Sequence, residues 1–151
     1  MARKTLQYKV TDEGRDLGKV FLITEMPATQ GERWAIRAFL AMGKNGVELP
    51  DDISQSGFAG IASYGLTLIA KLPFDDAEIL MEEMFRCVQM MPNPSNPEIV
   101  RSLVENDIEE IATRFKLRIA AFKLHADFSK AVGLSTLGQA SASGPAASSN
   151  T

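Results

Sequence analysis

Two stretches near the start of the chain alternate apolar and polar positions, and most of the remainder repeats at helical spacing. In Thr5 to Val10, Leu6, Tyr8 and Val10 stand against Gln7 and Lys9. Lys19 to Thr24 is rich in branched and aromatic side chains, so both stretches predict strands. The TDEGRDLG run between them has turn composition, glycine and acidic. Two strands alone are marginally stable, so the ribbon over residues 5–24 must lie on helices or pair with another chain. Either way it leaves an open edge.

Helical spacing begins after Glu25-Met26-Pro27-Ala28. Thr29 is placed to cap a helix over about residues 29–43 that carries Trp34, Ala35, Ala38, Phe39 and Met42 and ends at Gly43 or Gly46. Trp34 reads as its core anchor. A second helix is expected over about 54–72, with Gly57, Gly60 and Gly65 inside it. Glycine costs about 1 kcal/mol in a helix interior, so these three, with the small row Ala59, Ser63, Thr67, point to a break or a close helix crossing. After Pro73, Asp75 and Glu78 have capping-box spacing and Phe74 can staple onto Ile79, opening a third helix over about 75–91. It carries Ile79, Leu80, Met84, Phe85, Val88 and Met91, with Met81 and Met90 beside them. The prolines of MPNPSNP exclude regular structure, and Ile99 to Val104 is a helical turn or a third strand. Asp107 and Glu110 repeat the capping-box spacing and open the last helix, over about 107–128.

This last helix is apolar on two sides. Ile108, Ile111, Phe115, Ile119 and Phe122 form one row, and Leu117, Ala121, Leu124 and Phe128 another. A helix of that kind is buried deep in a domain or shared between a core and a partner. From Ser129 the chain turns small and polar, which predicts a flexible, disordered tail over 129–151. The expected fold is therefore α+β, mainly α: a single globular domain over 1–128, with an N-terminal two-stranded β ribbon packed on a bundle of about four helices.

Composition narrows the classes of function. A net charge of -3 gives no electrostatic reason to bind nucleic acid or an anionic membrane. The longest apolar stretch, Phe58 to Leu72, is short for a bilayer span. No apolar run of signal-peptide length follows the basic residues of MARKTLQYKV, so export is not expected. Cys87 is the single cysteine, which excludes an internal disulfide, and His125 the single histidine, which excludes a multi-histidine metal site. Neither sits in a catalytic signature, and His125 with Asp127 reads as a helix-end charge interaction. The carboxylate doublets Asp51-Asp52, Asp75-Asp76, Glu82-Glu83 and Glu109-Glu110 read as caps and solvated faces. With no phosphate-binding loop or dinucleotide fingerprint, no enzyme activity, cofactor or metal is expected.

VTDEGRDLGKVFLITEMPATQGERWAIRAFLAMGKNGVELPDD resembles the start of bacteriophage tail assembly chaperones, through TDEGRD followed by GK, then TEMPA and the W-A-x-R-A helix. RSLVENDIEEIATRFKLRIAAFKLHADF is similar to that family's C-terminal helix, with its DIEE opening and LH-x-x-F ending. The resemblance implies a protein of the infected cell's cytoplasm, absent from the mature virion. It would bind the helical, aggregation-prone tape measure protein and keep it soluble while the tail tube assembles. In many relatives a frameshifted longer form recruits tail tube protein; the Ser/Ala tail suits such a junction and is equally consistent with a plain stop and no extension. Met84, Met91, Phe115, Ile119 and Phe122 are the expected contributors to a groove for the client's apolar helix faces, although a methionine-rich face also serves as core filler. A homo-oligomer is compatible with the open edge. The rival expectation is a small structural virion subunit, a tail or head-completion protein, that uses that edge for strand pairing.

Overall fold

The computed structural model describes residues 3–48 and 67–125, and it shows an α+β fold. Four strands, β1 (Thr5–Lys9), β2 (Val20–Thr24), β3 (Val88–Met91) and β4 (Arg101–Ser102), form one antiparallel sheet in the order β1-β2-β3-β4. Among the described residues the long helices are α1 (Ala28–Lys44), α2 (Phe74–Phe85) and α3 (residues 111–125), with a 3-10 turn at Glu105–Asp107 before the last.

The sheet has four strands where the alternation predicts a two-stranded ribbon. The extra strands come from the end of the expected 75–91 helix and from the 99–104 segment. Phe21 and Ile23 of β2 are fully buried, and Met90 and Val88 lie beside them in register. Val88 and Met90 thereby enter the same apolar cluster from the sheet that they were expected to enter from a helix. Burial outweighs helix propensity here, because a β-branched residue and two methionines fit a central strand as well as a helix. Helix α2 therefore stops at Phe85, and Arg86 and Cys87 make the turn, their N–H groups bonded to the carbonyls of Glu82 and Met84 at 3.1 Å each.

None of the expected side-chain caps forms. Helix α1 begins behind Pro27 and α2 behind Pro73, neither with a side-chain cap, so Thr29 and Asp75 lie inside the first turn and Glu78 just beyond it. There the carboxylates of Asp75 and Asp76 still favour the helix dipole. The end of α1 follows the sequence. Gly46 takes a φ of +67°, and the N–H groups of Val47 and Gly46 donate to the carbonyls of Met42 (2.9 Å) and Gly43 (3.2 Å), closing a Schellman turn.

The core lies between the sheet and the helices, and Trp34 anchors it. Its indole N–H donates to the Leu80 carbonyl at 2.9 Å, and its ring meets Phe122 of α3 edge-on at 5.7 Å. Arg37 pairs with Glu83 at 2.8 Å, again joining α1 to α2. Residues 67–69 are helical, and Leu68, Ile69 and Leu72 enter the core. Residues 70–72, expected in the same helix, form a turn instead, while its part over 54–66 with the glycines, and the expected tail, lie outside the described residues.

Burial also fixes the state of Cys87. Loss of solvent pushes its thiol up to about 11, so the nucleophilic thiolate is scarce at neutral pH. Native protein is expected to react slowly with a thiol reagent such as DTNB and to release its one equivalent of thiol only on unfolding. Rapid labelling of folded protein would contradict the buried position.

Candidate partner-binding surface

Helix α3 is sealed on one side and open on the other. Leu117, Ala120, Ala121 and Leu124 are buried on the sealed side, and Phe122, which continues the open row, is covered farther along the helix. Ile111, Phe115 and Ile119 are 74%, 62% and 42% exposed and follow one another at every fourth position. Residues four apart on a helix are neighbours, so the three make a continuous apolar line. Charged side chains flank it. Arg114 and Arg118 lie over the Phe85 ring at 4.4 and 4.6 Å, and Arg118 also donates to the Met81 carbonyl at 3.0 Å and pairs with Glu82 at 3.1 Å. Both guanidiniums are thus held against α2.

The start of α3 is positioned by the β1–β2 loop, nearly a hundred residues away in sequence. The Asp16 side chain, 1% exposed, accepts hydrogen bonds from the backbone N–H groups of Glu109 (3.0 Å) and Glu110 (2.8 Å), which makes it a helix cap supplied from a distant loop. Lys19 Nζ donates to Asp16 at 2.8 Å and to the Asp107 carbonyl at 2.9 Å. Arg15 pairs with Glu110 at 2.9 Å and donates to the Glu109 carbonyl at 2.8 Å, while Asp12 pairs with Lys116. A Cβ on Gly14, whose φ is +144°, would meet Glu110 Oε1 at 3.3 Å, so this close docking favours glycine. Burial alone would raise the Asp16 carboxyl, but the hydrogen bonds from Lys19, Glu109 and Glu110 outweigh it and hold the group well below the usual carboxylate range.

The Asp107–Glu110 capping box is absent for the same reason: Glu110 is engaged by Arg15, and the N-terminal amides are already occupied by Asp16. Asp107 instead accepts from the Val104 N–H at 2.7 Å and from both Arg101 terminal nitrogens at 2.7 Å. Arg101 in turn holds the Asp107 carboxyl below its ordinary range. The bidentate pair fastens β4 to the turn that leads into α3.

The far end of α3 is held by His125. Its Nε2 accepts the Met26 N–H at 2.9 Å, and its Nδ1 lies 2.8 Å from the Ala121 carbonyl, which assigns the proton to Nδ1. His125 is a backbone clamp; Asp127, its expected charge partner, lies outside the described residues.

The expected groove residues divide between the two sides of the protein wall. Phe115 and Ile119 are on the surface; Met84, Met91 and Phe122 are buried. Met84 and Phe122 belong to the main core, whereas Met91 is a strand residue paired with Val20 and stands outside that cluster. The five therefore form no single groove, because the first row of α3 divides along its length, exposed at Phe115 and Ile119 and covered at Phe122 where Trp34 packs on it, and Met91 never joins a helix. The line is completed by Ile111, whose place in the first row of α3 was visible in the sequence. Helix α1 carries a second exposed apolar set, Ile36, Phe39 and Leu40, beside a groove of about 430 Å³ that also includes Arg33. The signal for it was the spacing of Ile36, Phe39 and Leu40, a second row beside that of Trp34 and Ala38.

No protein-family model, no curated protein and no solved structure matches this chain. Among the described residues there is no helix long and apolar enough to cross a membrane and no cluster of side chains suited to hold a metal ion.

Proposed function

We propose that this chain is a phage tail assembly chaperone that binds apolar helix faces of the tape measure protein and keeps it soluble while tail tube subunits polymerise. The sequence resemblance names the client, and one observation supports a physical route to it: the line Ile111, Phe115, Ile119 stands in solvent on a helix whose opposite side is sealed. An amphipathic client helix can lay its apolar stripe along such a line. The flanking charges of α3 keep the surface hydrated when no client is present. On this reading the protein acts in the infected cell's cytoplasm and leaves before the particle is complete, and a frameshifted longer form brings in tail tube protein.

Co-expression with overlapping tape measure fragments tests this. Soluble co-purifying fragments are expected with the native chain and are expected to be lost with Phe115→Asp, while far-ultraviolet circular dichroism stays unchanged. Fragments that remain insoluble beside the native chain, or that are carried equally well by Phe115→Asp, contradict the proposal. No strand among the described residues pairs with the outer edge of β1, which favours a second reading, a small structural virion subunit that pairs strands with its neighbours. Mass spectrometry of purified particles separates them, since a structural subunit is present in stoichiometric copies and a chaperone is nearly absent.

A further inference from the structure

We propose that the outer edge of β1 accepts an extended, acidic segment of a partner polypeptide as a fifth strand of the sheet. This site adjoins the apolar line of α3, with Ile119 common to both, but takes an extended segment where the line takes a helix, so it is tested apart from the client reading above.

Backbone register is the first observation. The Val10 N–H donates to the Lys19 carbonyl and the Glu25 N–H to the Lys4 carbonyl, each at 2.9 Å, so even-numbered residues of β1 face β2. In an antiparallel pair the bonding direction alternates along the strand, so the N–H and C=O groups of Thr5, Gln7 and Lys9 point away from the sheet. β1 pairs with β2 in unbroken register and contains neither a proline nor a bulge to blunt that edge.

The second observation is a groove of about 530 Å³ between β1 and α3, lined by Leu6, Tyr8, Ile119 and Leu124 and rimmed by Lys116 and Lys123. A strand added beside β1 would turn alternate side chains over this apolar floor and the others toward the face that carries Lys9. Charge selects the occupant. Lys116 is committed to Asp12, whereas Lys9 and Lys123 form no ion pair among the described residues. Although the chain as a whole carries a net charge of -3, this rim is basic. A second copy would add its own Lys9 to the face that already carries one, and like charges across a strand pair are unfavourable. An acidic segment with apolar residues at every second position satisfies the backbone, the floor and the rim together.

The test uses the full chain and a short blocked peptide that alternates glutamate with valine, with its lysine–valine counterpart as control. Fluorescence anisotropy is expected to show binding of the acidic peptide only, and amide hydrogen exchange to show slowing at Thr5, Gln7 and Lys9. Gln7→Pro removes an outward N–H without breaking a bond to β2 and is expected to weaken binding about tenfold or more, the loss of roughly 1.4 kcal/mol. Lys9→Glu combined with Lys123→Glu, both at exposed positions, is expected to do the same and decides the matter if Gln7→Pro fails to fold. Phe115→Asp is expected to leave peptide binding intact, which separates this edge from the client surface. Failure of the acidic peptide to bind, binding without protection of the three β1 amides, or equal binding of the lysine peptide would each overturn the proposal.

Discussion

Phe122→Ala is expected to lower stability by about 3–4 kcal/mol, whereas Phe115→Ala, seven residues earlier on the same helix, is expected to change it by less than about 0.5 kcal/mol. Phe122 is 6% exposed and meets the Trp34 ring edge-on at 5.7 Å. Its removal leaves a cavity where α1 and α3 meet and forfeits an aromatic pair worth about 1 kcal/mol beyond its buried area. Phe115 is 62% exposed and loses little on truncation. Urea denaturation of both variants, followed by circular dichroism, checks the contrast. Equal losses would mean that the whole of this row of α3 serves the interior, and the open line would then be unavailable to a client.

Asp16→Ala is expected to cost about 3 kcal/mol and to lower the melting temperature by about 10 °C. The substitution strips the cap from the amides of Glu109 and Glu110 and leaves the partly buried Lys19 ammonium without its nearest partner. Asp16→Asn retains an acceptor and is expected to fall between the two. The pH dependence follows from the direction of the shift. The folded pKa of Asp16 lies below the unfolded value of about 4, so its contribution is complete above that value and is lost as pH falls toward the folded one. Asp107, lowered chiefly by its hydrogen bond from Arg101, adds in the same direction. Native protein is therefore expected to lose stability progressively below about pH 4, and Asp16→Asn to show a flatter acid limb. An acid limb identical in native and Asn proteins would show that the loop is not docked on α3 in solution.

These two expectations also mark how far the chain could be read without coordinates. Both rows of α3 were legible, because helical spacing is a local property of the sequence. Which part of the first row is covered was not, because Phe122 and Phe115 share that row and are chemically the same, and only the position of Trp34 distinguishes them. The candidate line is thus half foreseen, in Phe115 and Ile119, while Met84, Met91 and Phe122 turned inward. TDEGRDLG was recognisable as a turn, yet nothing local to it announces that Asp16 caps a helix whose first residues lie beyond position 108.

The sequence by itself determined the first two strands, the span of α1 with its glycine stop, the start of α2 after Pro73 to within a residue, and the two-sided character of the last helix. Periodicity and glycine or proline punctuation act within a few residues, so they survive without a partner. Tertiary structure alone decided that Val88–Met91 is a strand, that α3 opens at residue 111 behind a 3-10 turn, and that its caps come from the β1–β2 loop. Each of these depends on what a segment is buried against, a long-range energy that outweighs local preferences of about 1 kcal/mol or less.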